Sequence, residues 1–243
     1  FEIAAETAHL ARVAVQERVF DRLSGERLRE ELADLLDEVR AIEALAELDR
    51  LGVFAAVLPG PRWSPTLRRF LAELDAVLAW AVLEDVYQGP RWLPFVAALA
   101  QRTTEANAAA LARRLSLAGT AARAVAEARA RTELLLGSAS RADARPSELV
   151  AALERSEPGL WLVAMAAADA GARRRLRHAL KDGLRTPAPV TGGRLVAAGV
   201  HPGKAVGEAV RRTRAAVLDG VVAADRAEAY AVELARAIEE GKA

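Results

Sequence analysis

An all-α fold is predicted by residue usage, by periodicity and by punctuation. Alanine, leucine and arginine, all strong helix formers, are abundant, while isoleucine, threonine and the aromatics (5%) are scarce. Apolar residues recur at helical spacing through nearly the whole chain and never settle into the two-residue alternation of strands. Glycine and proline clusters divide this pattern into about a dozen helices of unequal length. With no repeat of fixed period, the expected architecture is an irregular multi-helix array rather than a regular solenoid.

The elements follow in order. Ile3, Leu10, Val13, Val19 and Phe20 give one or two helices ending near Leu23. Ser24 is placed as an N-cap, and Leu28, Leu32, Leu35, Leu36 and Val39 then form a single helical stripe. A third helix covers 41–51, with Gly52 where a left-handed C-terminal cap would sit, and Pro59, Gly60 and Pro61 end the helical run. Ser64 and Pro65 start a long helix to about Tyr87, closed by Gly89 and Pro90. Helices over 91–101, 104–115 and 119–136 come next, and the stretch 137–147, with Pro146, marks a break between subdomains. Beyond it lie helices over 147–155, 158–169 and 171–183, a loop over 184–194, and helices over 194–198, 203–218 and 225–239. Three divisions are expected: 1–60, 61–145 and 146–243.

Composition narrows the functional classes. At 243 residues, 52% hydrophobic and 28% charged, the chain can bury a core without staples, and with no cysteine it has neither a disulfide framework nor a thiolate metal site. No uncharged apolar run of about 18 residues is present, and no basic segment leads into an apolar one, so neither a membrane span nor export is expected, and the cytoplasm is the expected compartment. The three histidines, His9, His178 and His201, are not spaced for a metal. Trp63, Trp80, Trp92 and Trp161 have apolar neighbours and are expected in the core. Formal net charge is only +1, yet residues 1–60 carry net −6 and residues 173–214 net +9. The positive field belongs to the C-terminal third.

Two stretches resemble the class II nucleotidyltransferases, the family of bacterial CCA-adding enzymes, A-adding enzymes and poly(A) polymerases. Phe1 to Thr7 resembles the segment after that family's nucleotide-recognition helix, and Ser24, Glu26, Arg27, Leu28, Glu31 and Leu32 fill the family's Ser-x-Glu-Arg-apolar-x-x-Glu-Leu pattern. The second stretch is similar to the family's tail: Thr191, Gly192, Leu195, Gly199, Pro202, Gly203, Gly207 and Gly220 occupy matching places, with Ala198 where a larger apolar residue is common. The resemblance implies neck, body and tail helices that hold RNA, tRNA foremost.

The residues also speak for themselves. In the first motif Ser24 caps, Leu28 and Leu32 pack inward, Glu26 sits at the positive helix start, and an Arg27–Glu31 pair would add about 0.3–0.5 kcal/mol. That is a structural role in the neck. In the second, a helix start at Pro202 and Gly203 presents unpaired N–H groups to an anion, small residues permit close approach, and Lys204, Arg194 and His201 add charge. Arg211, Arg212 and Arg214 follow on the same helix, while Arg173, Arg174, Arg175 and Arg177 form a less specific basic group. Thr191, Gly192, Arg194, His201, Gly203, Lys204, Arg211, Arg212 and Arg214 are therefore the candidate RNA contacts. The alternative is a glycine-capped turn in a helical protein-interaction module whose basic face is only solvated.

Catalytic signatures of the family do not occur here. Gly192-Gly193 is followed by no Asp-x-Asp, and Glu84-Asp85 is followed by Val86-Tyr87-Gln88 without the arginine of the family's Glu-Asp-x-x-Arg. No catalytic or metal-ligating residue is assigned. The resemblance implies a catalytic head, with Mg²⁺ and ATP or CTP, outside these 243 residues, and no nucleotide addition by this chain alone. Whether the parent adds CCA, A or poly(A) stays open.

Overall fold

The computed structural model describes residues 3–241; Phe1, where the N-terminal resemblance begins, lies outside them. Among the described residues there are fourteen α-helices and no strand. The chain divides into two compact units, one of residues 1–137 and 156–169, the other of residues 138–155 and 170–243. The second of the segments in each unit returns to the first after an excursion through the other.

The first unit begins with α1 (Ala5–Gln16), a short 3₁₀ turn (Val19–Arg22), α2 (Gly25–Asp37) and α3 (Ala41–Arg50). Ser24 Oγ accepts from the Arg27 N–H at 3.2 Å, and α2 buries Leu28, Leu32 and Leu36. Val39 departs from the expected stripe: α2 ends at Asp37, and Val39 stands 96% exposed in the following turn. Gly52, left-handed at φ 79°, terminates α3 as the sequence suggests. It then starts α4 (Val53–Val57), a five-residue helix too short to leave a periodicity.

The core of this unit is built by α5 (Pro65–Leu83), α6 (Trp92–Ala100) and, from the returning segment, α10 (Pro158–Ala167). Leu71, Leu74, Val96, Leu162 and Val163 are wholly removed from solvent, and burial of such side chains stabilises by roughly 1.5–3 kcal/mol each. α5 stops at Leu83, short of Tyr87, because Asp85 adopts a left-handed φ of 55° and the Val86 N–H closes on the Ala81 carbonyl at 2.8 Å. The same closure by Ser116 (φ 49°) ends α7 (Glu105–Arg114). α8 (Gly119–Ser140) follows, with Val125, Ala128 and Leu135 fully buried. Trp63 meets Phe54 edge-on at 5.4 Å, and all four tryptophans are partly buried.

In the second unit, α9 (Pro146–Glu154) packs against the turn that ends α11 (Ala170–His178). The expected single helix over 171–183 changes hydrogen-bond period at Ala179, where a π turn runs to Gly183. Gly183 lies so close to Val150 that a Cβ there would come within 2.5 Å of a Val150 methyl, so the widened turn seats its glycine on α9. Three helices complete the unit: α12 (Gly192–Ala197), α13 (Lys204–Leu218) and α14 (Ala227–Glu239). Val190, Leu195, Val200, Ala209, Ala231 and Ala235 form their shared core.

Candidate nucleic-acid interface

The hairpin from α12 into α13 is assembled by local rules. Thr191 Oγ1 accepts from the Arg194 N–H at 3.4 Å, a long cap, while Leu195 plugs the core. Gly199 takes φ 88°, so the Val200 N–H reaches the Leu195 carbonyl at 3.1 Å and the chain reverses. His201, Pro202, Gly203 and Lys204 are all exposed. Gly203 is the N-cap of α13, in extended backbone at φ 165°, and no side chain caps the first-turn N–H groups behind it. The positive end of a four-turn helix therefore faces solvent with its donors uncovered by a cap.

Glycine at four positions, Gly137, Gly193, Gly203 and Gly207, has no explanation inside the protein, and the last two stand at the start of α13. A Cβ at Gly203 or Gly207 would meet nothing within 4 Å, and neither residue has a left-handed φ. Gly207 lies inside α13, where glycine costs about 0.8–1 kcal/mol relative to alanine. Gly192 differs, since a Cβ there would press to 3.1 Å of Val206 and glycine serves the contact between α12 and α13.

The cations sort into two groups. On the exposed side of α13, Lys204 and Arg211 share a stripe seven residues apart, with Arg212 beside them, and Thr213 and Ala209 point into the core. Among the described residues, neither Lys204 nor Arg212 has a carboxylate within 4.0 Å. Arg211, despite its place on that stripe, and the remaining candidates are engaged. Arg211 pairs with Glu208 on its own helix, Arg194 Nη1 lies 2.7 Å from Glu228 Oε2, and the His201 backbone N–H donates to Glu239 Oε1 at 3.0 Å. Arg214 turns the other way and ties the unit together, donating to the Thr186 carbonyl at 3.0 Å and to Glu154 Oε1 at 2.6 Å. Gly192 is half-buried and Thr191 exposed.

Ser24, Glu26, Arg27 and Glu31 lie in the first unit and are not part of this hairpin. The Arg27–Glu31 ion pair is long, at 3.9 Å, and both side chains are about two-thirds exposed, so it contributes at the low end of surface pairs. Asp219, at the end of α13, was not singled out chemically by its sequence position. Its two oxygens accept from the Ser147 N–H at 2.9 Å and the Ser147 hydroxyl at 2.7 Å, clamping α9 to α13 across 72 residues. Gly220, which follows Asp219 and is left-handed at φ 70°, marks the helix end, and only the fold reveals the clamp. Among the described residues no three His, Asp or Glu side chains converge as a metal would require. No helix among them is long and apolar enough to cross a membrane.

With this geometry in view, the fold is that of a helical region carried by solved tRNA-processing enzymes. The particular proteins are CCA-adding enzymes: the chain superposes on the Thermotoga maritima CCA-adding enzyme complexed with tRNA at a TM-score of 0.81, with 18% identity, over 98% of this chain and 57% of that one. A CCA-adding enzyme in complex with CTP gives 0.80 at 19% identity over 99% and 57%, and a tRNA-processing enzyme in its apo form gives 0.71 at 16% over 90% and 55%. The chain thus spans just over half the length of these structures. No family model matches the chain, and no curated protein matches its sequence.

Proposed function

We propose that the chain is the RNA-holding helical portion of a template-independent nucleotidyltransferase that extends RNA 3′ ends, tRNA foremost. In this reading residues 1–60 serve as a neck, 61–145 as a body and 146–243 as a tail that grips the RNA backbone, and a catalytic head with its Mg²⁺ and ATP or CTP belongs to the rest of the parent. The observation that carries it is the start of α13: exposed, uncapped by any side chain, and furnished with Gly203 and Gly207, which the protein's own packing does not need. A helical glycine that costs stability and fills no internal need is accounted for when an external group approaches the backbone closely, and phosphate at a helix N-terminus is such a group. Lys204, Arg211 and Arg212 add charge-assisted contacts from the same side. The fold likeness supports the same reading.

Contacts of this kind address phosphate and sugar, so binding tracks A-form shape more than base sequence and weakens as salt rises. Filter binding of the chain to tRNA at low salt tests it. Retention is expected for the wild type and should fall for the variant combining Lys204→Glu, Arg211→Glu and Arg212→Glu. Equal retention by both removes α13 from the interface, and no retention by either removes the proposal.

A further inference from the structure

A second feature lies in the first unit. The 3₁₀ turn, α2 and the α3–α4 corner enclose an open groove of about 650 Å³. Phe54 and Leu58 form its buried floor, and Phe20, Leu23, Leu35, Leu48 and Val57 line it while still partly exposed. Its α2 wall carries Arg27, Glu31 and Asp34, spaced by four and three residues, and Glu38 follows in extended backbone just past the helix end; all four are exposed. Among the described residues, Asp34 and Glu38 have no cation within 4.0 Å, and Glu31 has only the long contact to Arg27. The surrounding residues 1–60 bear a net charge of −6.

We infer that this groove is a docking site for a basic amphipathic α-helix presented by a partner protein. Three observations select that occupant. Lining residues run along α2 from Arg27 to Leu35, with Leu28, Leu32 and Leu35 as the apolar stripe, about 12 Å or a little over two turns of a helix laid alongside. Partly exposed Phe and Leu side chains in a concave surface gain most from an apolar stripe at helical spacing. The acidic wall, in a region already negative, repels polyanions and attracts Lys or Arg on the flank of such a helix. RNA is therefore excluded from the groove, and the site is separate in chemistry from the start of α13.

Fluorescence anisotropy with a labelled helical peptide of about four turns tests this. The probe carries leucines along one stripe and arginines on one flank; its counterpart has glutamates in place of the arginines. The wild-type chain should bind the arginine peptide at least about tenfold more tightly than the glutamate peptide, with the preference shrinking as salt rises. The combined Glu31→Lys, Asp34→Lys and Glu38→Lys variant should lose or invert the preference, and Leu35→Gln should weaken both peptides. Circular dichroism confirms that each variant keeps its helix content. Equal binding of the two peptides, binding untouched by the charge reversal, or displacement of the peptide by tRNA would each overturn the inference. So would concentration-dependent self-association of the chain that Leu35→Gln abolishes, since the groove would then serve a second copy.

Discussion

Gly25→Ala places one methyl group where α2 meets the turn that ends α7. A Cβ on Gly25 would stand 2.5 Å from the Arg114 carbonyl oxygen and 2.7 Å from the Ser116 nitrogen, both backbone atoms. Restoring an ordinary 3.4 Å contact asks the turn to retreat by 0.9 Å. The turn is held in place: Ser116 is already left-handed, Arg29 Nη1 donates to the Ser116 carbonyl at 3.1 Å, and Arg114 donates to the Leu23 carbonyl at 3.1 Å and to the Phe20 carbonyl at 2.5 Å. A retreat of that size stretches a 3.1 Å bond beyond hydrogen-bonding distance. The alternatives are overpacking, at about 1–3 kcal/mol, or loss of charge-assisted bonds worth about 1.5–3 kcal/mol each. We expect a loss of about 2–3 kcal/mol, or roughly 4–12 °C in Tm. All four tryptophans belong to the first unit, so urea unfolding followed by tryptophan emission reports on the unit that is perturbed. An unfolding free energy that changes by less than about 0.5 kcal/mol would refute the reasoning.

Further tests follow from the same geometry. Gly207→Ala, the same chemical change in open space, should stabilise the second unit by about 0.8–1 kcal/mol in circular dichroism while weakening tRNA retention. Asp219→Ala removes the acceptor of both Ser147 bonds and should cost about 1–2 kcal/mol, with the loss absent from tryptophan emission. Burial raises the pKa of Glu157 above its ordinary value, partly opposed by the N–H groups of Gly159 and Leu160. The folded state then holds this proton more tightly than the unfolded one, so stability falls as pH rises from the ordinary carboxylate range through the raised value. Glu157→Gln should flatten that slope in urea titrations across pH 4 to 7, and an unchanged slope would assign it to other groups.

Features that obey short-range rules were legible in the sequence. Ser24 and Ser64 cap as expected because the acceptor oxygen and the N–H it meets lie three residues apart, and Gly52 and Gly199 reverse the chain because only glycine takes that φ cheaply. Helix ends made by Asp85 and Ser116 were not legible, since non-glycine left-handed residues leave no compositional mark. Val39 matches the period of the α2 stripe, but the helix stops before it and leaves the residue exposed. At the candidate interface the sequence pointed to a hairpin and a run of cations. It did not show that Glu228 and Glu239, 34 and 38 residues away, meet Arg194 and His201, nor that Arg214 is drawn to Glu154. The local charge count therefore overstates the field open to a polyanion, and Lys204 and Arg212 emerge as its centre only in three dimensions.

Backbone hydrogen exchange with and without tRNA probes the start of α13 most directly. At low salt, tRNA should slow exchange of the amides over residues 204–207, with the effect fading as salt is raised, while residues 25–37 on α2 exchange as before. Unchanged exchange over 204–207 under conditions where the chain is saturated with tRNA would contradict the account.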